Sequence, residues 1–342
     1  MSGPTYQIEW LDLENAEHWD EFVLNSSRGS VFQTSTYLKL LKKVFNKNPK
    51  ILLAKRGAEI AAGVTLLPAK RMGLHYSGSP FYFPYNGIVV SDFPKVKYPF
   101  RITELQSRAV RLLLKELESN FQFMEFVLPE NFGDLRPFVW NHWQVIPEYS
   151  VKVNLNPKTD YLSGVESSQR RKIRALSHLE FSEEGAERLE DFWELHLNSY
   201  RLHRALPPLK KTEFISFLSA LLSTRLGKIF SIGSAPTPLA MVAVVEGAGK
   251  AYAIISGRAA GKESSGAEIA LLFRLFQYYE SRGFTELDLL GGMHPSITKV
   301  KLELGGVLQR TDRVRYFKSF WIESLWHLQS KRIQKRRTTG AD

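Results

Sequence analysis

In the stretch Leu287–Gly306, LDLLGGMHPSITKVKLELGG, three groups able to carry or move charge stand close together: Asp288, His294 and Lys301. Asp288 can serve as a base or as a carboxylate that orients a neighbour, His294 as a base, and Lys301 as a cation for a phosphate or a developing oxyanion. The pairs Gly291-Gly292 and Gly305-Gly306 allow backbone to approach closely around them.

A second group is cationic. Within SSQRRKIRAL, Arg170, Arg171, Lys172 and Arg174 crowd four positive charges into five positions. On a helix Arg170 and Arg174 share a face, as do Arg171 and Arg174, so guanidinium forks can grip neighbouring phosphates. A solvated basic face is the alternative. A third stretch, SGRAAGKESSG, joins a strand to a helix start, where free N–H groups and the helix dipole favour an anion; Ser256, Gly257, Arg258 and Gly261 are its candidate contacts. Against that, Ser265 and Glu268 have the spacing of a capping box, which puts a carboxylate on the same N–H groups. In the tail, Phe317, Phe320, Trp321, Leu325 and Trp326 lead into Lys331, Arg332, Lys335, Arg336 and Arg337, a pattern suited to an anionic membrane surface or RNA, or to a helix packed on the fold.

The absence of cysteine excludes disulfides, thiolate nucleophiles and Cys-based metal sites. No Gly-x-Ser-x-Gly elbow, Walker loop, His-Glu-x-x-His or dinucleotide fingerprint occurs, and no metal is expected. The net charge of +11 favours anionic partners. With neither a signal-like N-terminus nor an 18-residue apolar run, a cytoplasmic location is expected, with possible peripheral contact at the membrane through residues 316–337.

The elements that position these groups form a repeat. KILLAKRGAEIAAGVTLLP, from Lys50, and KIFSIGSAPTPLAMVAVVE, from Lys228, each read strand, turn, strand at an offset of 178 residues. Amphipathic helical sequence precedes both, with Trp19 and Trp193 at nearly the same offset. A chain of 342 residues suits two lobes, expected at residues 1–150 and 151–320, with a basic helix or tail over 321–342.

The order of motifs resembles the Fem-type branch of the N-acetyltransferase-like (GNAT) superfamily. Val31–Tyr37 (VFQTSTY) resembles its Phe-Gln-Ser opening, Pro84–Val90 (PYNGIVV) its Gly-Pro-Val-Val strand, and Gln169–Ala175 (QRRKIRA) its Arg-Arg-x-Ile-Arg-Lys-Ala helix. Glu194–His203 resembles Leu-His…Thr…Arg, Leu287–Gly292 resembles Asp-Phe/Leu-Gly-Gly, and Val300–Gly306 resembles Phe-Lys-x-x-Phe-Gly-Gly, with Val300 replacing the usual Phe. The loop from Arg258 partly matches the superfamily's Arg/Gln-x-x-Gly-x-Gly/Ala, with Glu263 replacing the last small residue. The resemblance implies an α+β fold of two tandem GNAT-like lobes, each a mixed, mostly antiparallel sheet flanked by helices. It implies acyl transfer to an amine acceptor, such as a cell-wall (peptidoglycan) or other phosphate-bearing precursor, without a covalent enzyme intermediate or tightly bound cofactor. The donor co-substrate would be aminoacyl-tRNA, favoured, or an acyl-CoA. Lys301 would then contact tRNA phosphate or the oxyanion, while Arg170, Arg171, Arg174, Arg201, Tyr85, Asn86, Gly291 and Gly292 would bind substrate. The competing class is a non-catalytic protein that binds nucleic acid or membrane.

Overall fold

The computed structural model describes residues 5–202, 204–234 and 237–328. The chain divides into two compact units, one holding the residues up to Glu148 and again from Arg310, the other Tyr149–Gln309.

The first unit opens with β1 (Tyr6–Leu11), α1 (Glu17–Asn25) and α2 (Ser35–Phe45). The Thr34 hydroxyl caps α2 by accepting from Tyr37 N, and Asn46 ends it in the left-handed conformation. The expected hairpin follows as β2 (Lys50–Arg56) and β3 (Glu59–Leu66), whose nearly continuous apolar runs match strands buried on both faces. Then come β4 (Pro68–Arg71), β5 (Leu74–Ser77), β6 (Val89–Val90), α3 (Pro99–Asn120), β7 (Phe123–Leu128) and α4 (Arg136–Trp140). Proline at the first turn of α3 suits a position whose N–H has no helical partner, and Val110, Leu113, Leu114 and Leu117 form its buried stripe. One sheet has the order β1-β2-β3-β6. Beside it, β4 and β5 pair antiparallel and β5 and β7 pair parallel.

The second unit takes up the chain within β8 (Gln144–Asn154), followed by α5 (Tyr161–Gly164), α6 (Ser167–Ala175), β9 (Glu180–Glu184), α7 (Leu189–Leu202) and α8 (Lys211–Ser223). The second hairpin is β10 (Gly227–Ser234) with β11 (Thr237–Gly247). After it run β12 (Lys250–Arg258), α9 (Lys262–Ser281), β13 (Glu286–Asp288) and α10 (Pro295–Glu303). Strand order is β8-β13-β12-β11-β10-β9. Only the β12–β13 pair is parallel among these, as a strand-helix-strand crossover requires. The repeat holds down to the register: Leu52 faces Val64 and Phe230 faces Val242, all at the same offset of 178.

Over residues 310–328 the chain clusters with the first unit rather than the second. There β14 (Val307–Phe317) pairs antiparallel with β7, Asp312 facing Leu128. Residues 320–328 form a last helix, α11. Of the tail singled out in the sequence, residues 329–337, including the basic cluster, lie outside the described residues.

Candidate active site in the second unit

The site begins where β12 and β13 part. The two strands pair over Lys250–Tyr252 and Glu286–Asp288, while β12 continues along β11 to Arg258. Beyond Asp288 the chain coils instead: Leu290 and Gly291 both have positive φ, 55° and 56°. A Cβ on Gly292 would collide with the Tyr149 carbonyl, so glycine is required for this coil to pack against β8.

The coil turns two carbonyls toward Lys301 on α10. The Lys301 ammonium donates to Leu289 O at 2.6 Å and to Leu290 O at 2.9 Å. An ammonium has three donors, so one remains for a ligand. Burial pulls its pKa down to about 8, against the opposing charges of Asp288 and Glu268.

Asp288 is fully buried. Its Oδ1 accepts from the Ser150 hydroxyl at 2.5 Å and from Leu290 N at 2.8 Å, and Lys152 Nζ stands 3.8 Å from Oδ2. With Oδ1 engaged twice, Asp288 has the partners of an orienting carboxylate. It fastens the coil that holds Lys301. His294 is exposed at the start of α10 with Nδ1 3.1 Å from the Ser296 hydroxyl.

Three further elements surround Lys301 and the strand gap. Helix α6 is tied to α10: Glu166 N donates to Glu303 O, and Gln169 Nε2 donates to the Glu303 carboxylate at 2.6 Å. It also packs against the first turns of α9, where a Cβ on Gly266 would meet Leu176. Arg170, half-buried, and Arg171 and Arg174, exposed, have no ion pair or side-chain hydrogen bond among the described residues. Helix α7 closes β12, with His196 Nδ1 2.9 Å from Ser256 O and the Ser199 hydroxyl accepting from Arg258 N at 3.0 Å. A Cβ on Gly257 would collide with His196 backbone, which explains the glycine there. Arg201, one turn beyond, is exposed and reaches Asn198 Oδ1 at 3.4 Å.

The start of α9 corrects the sequence reading. Helix α9 begins at Lys262, with Gly261 as N-cap at φ 111° and no side-chain cap. Glu268 is therefore well inside the helix, not at a capping position. Its Oε1 accepts from the Ser256 hydroxyl at 2.9 Å and its Oε2 stands 3.5 Å from Arg258 Nε. The N-terminal N–H groups that the capping box would have occupied are not taken by Glu268. This carboxylate was missed as a site residue because Ser-x-x-Glu is also the signature of a helix start. The signal for the true start was Gly261, which alone tolerates that φ.

Tyr85 and Asn86 lie in the first unit and are buried. Asn86 Oδ1 accepts from Val127 N at 3.0 Å, and Gly87 N donates to Val127 O. Asn86 and Gly87 thus fasten this loop to β7.

Residues 166–295 match the model of the acetyltransferase (GNAT) domain, a span that takes in α6 through β13 and ends six residues before Lys301. Among solved structures, that of FemX is 14% identical with a TM-score of 0.68 over 89% of this chain and 96% of that one. A tandem GNAT protein from the clavulanic acid biosynthesis pathway is 12% identical, with a TM-score of 0.56 over 92% and 99%. L-PGS from Bacillus licheniformis is 11% identical, with a TM-score of 0.53 over 95% and 98%. No curated protein matches the chain in sequence. The fold is the tandem GNAT fold, of the Fem-like kind.

Proposed function

We propose that this chain, an acyltransferase of the Fem-like GNAT superfamily, moves an aminoacyl or acyl group from an activated ester or thioester to an amine by direct attack. The observation that carries this reading is the Lys301 ammonium, held by two carbonyls at the mouth of the gap between β12 and β13 with one donor to spare. The amine nitrogen attacks the donor's carbonyl carbon, the carbonyl oxygen takes the negative charge, and Lys301 donates to it. Collapse of the intermediate expels the ribose oxygen or the thiol sulfur, which takes up the proton that the amine has shed. Preorganised positive charge that meets an oxyanion needs no rearrangement at the moment of reaction.

The attacking amine must shed a proton, and Glu268 is our acceptor. It is partly exposed, fixed by Ser256 and Arg258, and close enough to Lys301 to act on its charge. Glu268→Gln should slow transfer by about 10²-fold, the low end of what a general base contributes, with water serving in its place. An unaltered rate would return Glu268 to a purely structural role.

Aminoacyl-tRNA is the favoured donor because the cations of α6, without side-chain partners among the described residues, sit beside α10 and the start of α9, where a polyanion can engage them together. A second reading has its own observation: with Gly261 as N-cap, α9 begins free of a side-chain cap, as a coenzyme A pyrophosphate requires. Thermal stabilisation separates them. Bulk aminoacyl-tRNA should raise the melting temperature at moderate salt, and Arg170→Ala with Arg171→Ala should weaken that effect by about tenfold and reduce its salt dependence. Stabilisation by acetyl-coenzyme A alone would give the site to a thioester donor.

A further inference from the structure

Among the described residues the two most exposed aromatic side chains, Phe320 and Trp321, stand on one side of α11. Phe320 and Trp321 are 73% and 76% exposed, and Leu325 and Leu328 are more than half exposed. Trp321, Leu325 and Leu328 recur at i, i+4 and i+7, so they share one face. That face is turned outward by firm attachment of the other. The Trp326 ring lies 5.8 Å from Phe123 and 5.9 Å from Phe317, with the Arg315 guanidinium 4.4 Å from its centre. Glu323 accepts from Gln144 Nε2 at 2.6 Å. The helix thus cannot roll to hide its leucines without giving up these contacts. A contiguous apolar face held in water in this way marks a docking surface.

Charge selects the occupant. From Ser324 to Ala341 the sequence has no carboxylate, and Lys331, Arg332, Lys335, Arg336 and Arg337 fall within seven residues. These cations lie beyond the described residues. A second copy of the chain would bring two such basic segments together. RNA would satisfy the cations but offers no apolar phase to Leu325 and Leu328. A bilayer with anionic headgroups satisfies both, with tryptophan at the boundary and lysine and arginine on the phosphates.

We propose that α11 seats the protein on an anionic phospholipid surface, with Phe320, Trp321, Leu325 and Leu328 entering the headgroup boundary and the following basic segment neutralising lipid phosphates. This is independent of the acyl-transfer reading. The full chain should co-sediment with phosphatidylcholine vesicles containing phosphatidylglycerol about tenfold or more tightly than with phosphatidylcholine alone. Trp321→Glu with Leu325→Glu, both exposed and therefore compatible with the fold, should lose at least about tenfold of that binding at an unchanged melting temperature. Alanine at the five cations should remove its salt sensitivity. Equal affinity for both vesicle types, unaltered binding of the glutamate variant, or displacement from vesicles by RNA that competes for the same face would overturn the proposal. So would a dimer in solution that the glutamate variant converts to monomer while vesicle binding stays the same.

Discussion

Lys301→Ala should reduce the rate of acyl transfer by about 10²–10³-fold with the fold intact, the usual effect of removing a donor that meets an oxyanion. The alanine variant also tests the electrostatics. With a folded-state pKa of about 8 and an unfolded value near 10.5, Lys301 binds more proton in the unfolded chain across that interval. Its contribution to stability therefore rises with pH from about 8 to 10.5, and below that interval burial of the charge is a full penalty. The variant should melt no lower than the parent at neutral pH, and the part of the parent's pH slope due to Lys301 should vanish. Activity should move the other way, falling in the parent as pH rises through about 8 and the ammonium is lost. A variant that keeps full activity would remove Lys301 from the reaction.

At Asp288 the expected loss is of stability first. Asp288→Ala strips acceptors from Ser150 and Leu290 N and leaves Lys152, also buried, with one carboxylate fewer. Breaking a buried charged network of this kind costs about 3–5 kcal/mol, to be read from urea unfolding. Asp288→Asn keeps an oxygen for both donors and should retain activity to within about tenfold. A base cannot survive that exchange. An asparagine variant that is well folded yet inactive would make Asp288 the proton acceptor and displace Glu268.

Both hairpins were legible in the sequence because buried strands read as apolar runs around a turn, and helix α6 because Gln169–Ala175 resembles the Fem-type helix motif. Strand β14 was not. Its Arg313 and Arg315 pair with Glu125, and Arg313 also with Glu148, so that part of its sequence reads as surface although those charges are largely enclosed. An apolar pattern cannot announce a strand whose contacts include ion pairs. The clustering of Lys301 with the LDLLGG coil was visible as spacing, but its two carbonyl partners depend on positive φ at Leu290, and nothing about leucine foretells that conformation.

The register shared by the hairpins extends further than the hairpins. In the first unit β5, α3 and β7 repeat the succession β12, α9 and β13, parallel pair included. The difference lies between strand and helix: α3 starts 25 residues after the start of β5, whereas α9 starts 12 after the start of β12. The additional chain carries Tyr85 and Asn86, and beyond the Ser77–Met124 pair it is Asn86 and Gly87 that bond to Val127 of β7. In the first half that longer connection is thus bonded onto β7 beyond the end of the parallel pair. On the proposed reading the first half offers the donor no berth at that position, so a binding titration should return one donor per chain.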